Sequence, residues 1–141
     1  MTLRALVEDR IKATVTAFKE VAGAADIKSI LAGRVSYPAC YIYRERNQAT
    51  TNESCNFVSQ QRTESVALIV TTRNVQDARG GINSDECEEY CNLIEEQLLG
   101  WQPDNYYSPM TYSEGGLLLL MDGFHYWREV YKTTSTIRGI L

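Results

Sequence analysis

Residues 57–74, FVSQQRTESVALIVTTRN, read as one unbroken strand whose two halves obey different rules. In VALIVTT, apolar or β-branched residues occupy both faces, the pattern of a strand at the centre of a sheet. In SQQRTES both faces are polar. A strand that leaves the core and continues has two outlets. Either it projects as an arm, or its polar half pairs with something outside the monomer.

The flanking sequence alternates helical and extended patterns. Residues 3–21 place Leu3, Leu6, Val7, Ile11, Val15 and Phe18 on one helical face, with Thr2 as N-cap. A break at AGAAD precedes a short helical piece over residues 27–33. Pro38 is barred from a central ladder position, so a strand is expected over residues 39–46. Ala39, Tyr41 and Tyr43 share one of its faces; Cys40, Ile42 and Arg44 share the other. RNQATTNES is polar throughout and reads as an exposed loop.

SDECEEYCNLIEEQLLG carries the clearest helical stripe: Cys87, Tyr90, Cys91, Ile94 and Leu98. Ser84 is the expected cap, with Asp85 and Glu86 at the positive end. Gly100 suits the left-handed position after the last turn, Pro103 prevents resumption, and Trp101 folds back as an apolar latch. A short strand is expected over Tyr106–Tyr112, interrupted by Pro109, and a stronger one over Leu117–Met121. Asp122-Gly123 signals a hairpin. The return strand, Phe124–Thr134, has Phe124, Tyr126, Arg128 and Val130 on one face and His125, Trp127, Glu129 and Tyr131 on the other. This order predicts an α+β fold: one mixed or antiparallel sheet of four to five strands, helices packed on one face, and a single domain over residues 1–141.

At 141 residues the chain can bury about two-thirds of its surface on folding, so it needs no disulfide or metal staple. Its net charge of −4 argues against a duplex-DNA binder, while a mildly acidic wall suits a surface that DNA slides past. The longest apolar run, LLLLM at residues 117–121, is far short of a membrane span, so no membrane partner is expected. The opening MTLRALVEDRIKATV has no apolar signal core, which points to a reducing cytoplasm. There Cys40, Cys87 and Cys91 read as buried thiols and Cys55 as a loop residue.

Chemistry is sparse. Cys87 and Cys91 lie four apart on a helix and could share a metal or a redox role, but no CxxC knuckle is present. His125 is the single histidine; Asp122 precedes it by three, which in a strand points the other way, and no nucleophile elbow accompanies it. DECEE reads as a solvated first helical turn. The glycine pairs lack the Lys-Ser/Thr of a phosphate loop. Tyrosine and tryptophan crowd the C-terminal half, and some of them suit an interface.

The capped helix ending LLGWQP, the stretch YYSPMTYSEGG and the run LLLLMDGFHYW together resemble the tail terminator (tail completion) proteins of long-tailed bacteriophages, in the Mu-like branch. The opening helix, IKSIL, YPACYIYRE and SQQRTESVALIV follow the same order, so the likeness covers the whole chain. The resemblance implies a structural virion protein of the tail's neck end, assembled in the host cytoplasm. Its copies form a ring, typically a hexamer. The ring docks on the last tube ring, ends tube growth and presents its other face to the head-completion proteins, while DNA passes through the hole. No catalysis, cofactor or metal belongs to that role. RERNQATTNES resembles the family's mobile strand-connecting loop. Arg44, Arg46, Gln60, Gln61, Arg62, Tyr106 and Tyr107 are the expected contacts between subunits or with the tube.

Overall fold

The computed structural model describes residues 1–33, 35–77, 79–121 and 123–140. Its elements run α1 (Leu3–Thr14), β1 (Glu20–Gly23), α2 (Ile27–Ala32), β2 (Ala39–Ala49), β3 (Phe57–Arg73), α3 (Gly81–Leu98), β4 (Thr111–Met121) and β5 (Phe124–Ile140). The strands form one sheet in the order β1-β2-β3-β5-β4. β1 joins β2 in parallel; all other neighbours are antiparallel. The fold is the expected α+β one, with a mixed five-stranded sheet.

β3 holds the centre because its second half is apolar on both faces. Val66, Leu68 and Val70 turn toward one core with Cys40, Ile42 and Tyr131; α1 and α3 cover it with Val7, Ile11, Cys87, Ile94 and Leu98. Ala67 and Ile69 turn the other way, against Ala39, Tyr41, Tyr43, Tyr126 and Val130. The face assignments read for β2 and β5 thus hold. The two long helices share one face, and the short α2, through Ile30, lies over the other. Each fully buried aliphatic side chain contributes about 1.5–3 kcal/mol, so this double-sided centre dominates the stability.

Several boundaries differ from the sequence reading. The first helix ends at Thr14, not at residue 21, where the run Thr14-Val15-Thr16 favours extended backbone. The chain still buries Val15 and Phe18, and Phe18 stacks on Tyr90 of α3 with ring centroids 5.0 Å apart. Residues 20–23, read as the end of that helix and the start of the break that follows it, become β1. Ser84 does not cap α3: the helix starts at Gly81, and Gly80 occupies the cap with φ 79. The Asp77 carboxylate supplies the acceptors instead, taking bonds from the Gly80 and Asn83 amides at 3.2 and 2.8 Å. Finally, β4 begins only at Thr111, because Tyr106–Met110 turns back to bond with the end of α3.

That return explains the Gly-Trp-x-Pro sequence. Gly100 takes φ 79 and donates to the Met110 carbonyl at 2.8 Å; Met110 donates back to Trp101 at 2.9 Å. Trp101 packs on the helix-side core, with the Arg10 guanidinium 5.3 Å above its ring. At the β4–β5 hairpin, Gly123 takes φ 83 beside the Asn74 carbonyl, where a Cβ would come within 2.8 Å. Asp122, the other half of that turn signal, lies outside the described residues.

Candidate functional site

Beyond the core the sheet narrows to three strands and continues. The polar half of β3 pairs on one side with β5, from Phe57 opposite Ile140 to Ser65 opposite Lys132. On the other side it pairs with β2, from Arg46 opposite Ser65 to Ala49 opposite Arg62. The partner that the polar half requires is therefore supplied within the chain, and the arm outlet is the one taken. The segment read as an exposed loop is corrected accordingly: the strand continues through residues 46–49, and only residues 50–56 form the turn. β5 likewise runs past Thr134 to Ile140. A strand of 17 residues spans about 56 Å at ~3.3 Å per residue. The accessible surface of 8293 Å² exceeds the roughly 7,400 Å² expected for a compact chain of this mass, consistent with such a projection.

The arm is held by hydrogen bonds rather than by a core. Asn52 Oδ1 accepts from the Ser59 amide at 3.0 Å, and Thr50 Oγ1 accepts from the Gln61 amide at 3.0 Å. Gln60 Nε2 donates to the Thr50 carbonyl at 2.6 Å. At the root, a bulge between Arg44 and Arg46 shifts the register of β2. Through it Glu45 joins Arg128 of β5, which also reaches Glu114 of β4 at 3.0 Å. The bulge thus locks the arm to three strands at once.

The residues expected as contacts are distributed over both faces of this frame. Cross-strand register puts Arg44, Gln60 and Arg62 on the helix side of the sheet and Arg46 and Gln61 on the opposite side. Arg62 Nη2 donates to the Tyr106 hydroxyl at 3.2 Å and stands 3.9 Å from Glu64. Tyr106 is exposed and belongs with the arm. Tyr107, by contrast, is buried in the helix-side core, 5.0 Å edge-on from Tyr106. Nothing in the adjacent pair Tyr106-Tyr107 tells which ring turns inward. Arg44 and Arg62 also line a cavity of about 350 Å³ between the arm root and the N-terminus of α1.

The residues weighed for chemistry lie elsewhere. Cys40, Cys87 and Cys91 are buried free thiols, and Cys55 is exposed. Burial pushes the Cys40 thiol up; the neighbouring Cys87 thiol, burial and Glu129 push Cys91 up. Both stay protonated at neutral pH, which suits neither a nucleophile nor a metal ligand. Among the described residues, no three His, Cys, Asp or Glu side chains are grouped to hold a metal. His125 is 2% exposed and stacks nearly parallel to Trp127, and burial holds its imidazole below the usual range, hence neutral.

His125 and Glu129 line a cavity of about 440 Å³ between α3 and the β4–β5 pair. Glu129 Oε1 accepts from the Trp127 indole at 2.8 Å. Burial first, then Glu129, pushes the nearby Tyr112 hydroxyl up to about 12. A carboxylate in such a place was legible only from alternation, which sets Glu129 between Trp127 and Tyr131 on the helix-facing side. Among the described residues, no helix is long and apolar enough to cross a membrane.

A family model described as "Phage tail terminator protein" matches residues 3–140. No curated protein matches the sequence. Among solved structures, the chain is similar to one from a particle titled "Virion of native gene transfer agent (GTA) particle". The TM-score is 0.59 at 9% identity, over 96% of this chain and 95% of that one, a likeness of fold.

Proposed function

The chain belongs to the phage tail terminator family, and from that premise we propose that six copies form a ring that caps the tail tube, stops its growth and receives the head. As a member it is a structural protein of the phage tail, not an enzyme. The ring sits at the neck end and is assembled in the host cytoplasm. One face meets the tube protein, the other meets a head-completion protein, and DNA crosses the hole without specific binding. No cofactor takes part.

The projecting arm carries this reading on the structural side. A three-stranded ribbon that buries almost no apolar side chains past Val66 adds little to the stability of its own chain. Its free edges and exposed arginines offer backbone and charge to a neighbour. Arg44, Arg46, Gln60, Gln61, Arg62 and Tyr106 are the proposed contacts with the next copy or the tube. Tyr107 supports them from within.

Tails assembled without the chain test the role. We expect tubes of unregulated length, and a return to one length when the purified chain is supplied during assembly. Electron microscopy of the tail lengths checks this. Uniform tails in its absence would refute the capping role.

A further inference from the structure

Two oppositely charged surfaces lie on opposite faces of the sheet. The solvent face of α3 carries Asp85, Glu86, Glu88, Glu89, Glu95 and Glu96, all exposed, and α3 contains no lysine or arginine. On the arm, the face turned away from α1 and α3 carries Arg46, Lys132 and Arg138, all exposed. Apart from Glu45 at the arm root, which is paired with Arg128, the strand residues sharing that face of the arm, among them Ser59, Gln61, Thr63, Thr134 and Thr136, include no carboxylate.

The anionic side also holds an open cavity floored by a buried carboxylate. Glu88 and Glu95 line the cavity beneath them, into which Glu129 and His125 face from β5. Glu129 is 7% exposed and His125 2%. Glu129 Oε2 and His125 Nδ1 have no hydrogen-bond partner among the described residues. The Tyr112 hydroxyl and the Cys91 thiol are neutral donors beside Glu129, and a cationic N–H group would satisfy its buried carboxylate more strongly than either.

We propose that the lysine–arginine face of the arm of one copy docks on the carboxylate face of α3 in the next copy, with one cationic head group entering the cavity over Glu129. The inference rests on the ring reading and specifies its repeating contact. The two surfaces cannot meet within one chain, because the sheet separates them. Each copy offers one of each, so the contact is head-to-tail and repeats from copy to copy, as closed rings require. The occupant of the cavity is a second copy of this chain rather than a free ligand, because the arm face is opposite to α3 in sign and α3 has no cation of its own.

Charge reversal in both directions tests this on the full chain. One variant carries Glu88→Lys and Glu95→Lys; another carries Arg46→Glu, Lys132→Glu and Arg138→Glu; a third carries all five. All five positions are exposed, and circular dichroism confirms folding. Self-association is read by sedimentation velocity at low and high salt, and ring formation by microscopy on tail tubes that lack the chain. Each partial reversal is expected to weaken association at least tenfold, and the full reversal to restore it to within threefold of wild type. Glu129→Gln, which keeps the acceptor of the Trp127 bond, is expected to weaken association about fivefold. Partial reversals that associate like wild type, or a full reversal as defective as either part, overturn the contact. If wild type caps tubes while the reversals have no effect, the contact alone is wrong and the ring role stands. If wild type neither self-associates nor binds tubes, both are wrong.

Discussion

Truncating Tyr131 to alanine is expected to lower the stability by about 4 kcal/mol, the usual loss for a large buried aromatic ring. Tyr131 is 1% exposed. It stands opposite Val66, where β3 passes from core to arm, and meets Tyr112 of β4 edge-on with ring centroids 5.4 Å apart. It thereby joins the central strand, the outer strand and the helix-side core. Losing the ring leaves a void that the flanking strands cannot close, since their register is fixed along the whole of β3. Urea unfolding should show a lower midpoint with an unchanged slope, and the melting temperature should fall by about 10 °C. A loss below about 1 kcal/mol would mean that the core is not organised around this junction.

The second large effect concerns assembly rather than folding. Replacing Gln60 and Arg62 together with alanine should change stability by less than about 1 kcal/mol, because both lie on the polar arm and Arg62 is a partly exposed ion-pair partner. The same change should reduce ring formation, or the fraction of tubes capped, by at least tenfold. Gln60 braces the turn through the Thr50 carbonyl, and Arg62 holds Tyr106 against the arm root. A loss of about 1.4 kcal/mol at one contact is already a factor of ten. In a closed ring it recurs at every interface. Urea melts beside a quantitative capping assay separate the two effects. Capping unchanged in a folded double variant would remove these residues from the interface.

Where burial drove the structure, the sequence was a sufficient guide. The alternation of Ala39, Tyr41 and Tyr43 against Cys40 and Ile42 is the alternation of two cores. The stripe Cys87, Cys91, Ile94 and Leu98 is the buried face of α3. The arm was legible in only one of its three strands. VALIVTT announces β3, and its polar continuation follows from it, but RNQA and STIRGI have no periodicity of their own. They are strands because β3 offers them a ladder, and ladder hydrogen bonds leave no trace in hydrophobic pattern. β1 was hidden for a related reason: at four residues it is too short for a period and is defined by pairing to β2. The Asp77 cap was missed because its acceptors reach Gly80 and Asn83 across a loop, whereas Ser84 sat where a local cap would be expected. The cavity acceptors Glu129 and His125 were visible as residue types, but which polar side chain lacks a partner is a property of packing alone.

The central claim is that this chain acts by repetition around a hole at the end of a tube. Cryo-electron microscopy of tail tubes incubated with the purified chain tests it most directly. The account predicts a single ring of six copies on one end of each tube, with an open centre and neighbouring copies joined arm to α3. Copies bound along the tube wall, or a lone copy at the tip with no ring, would contradict it.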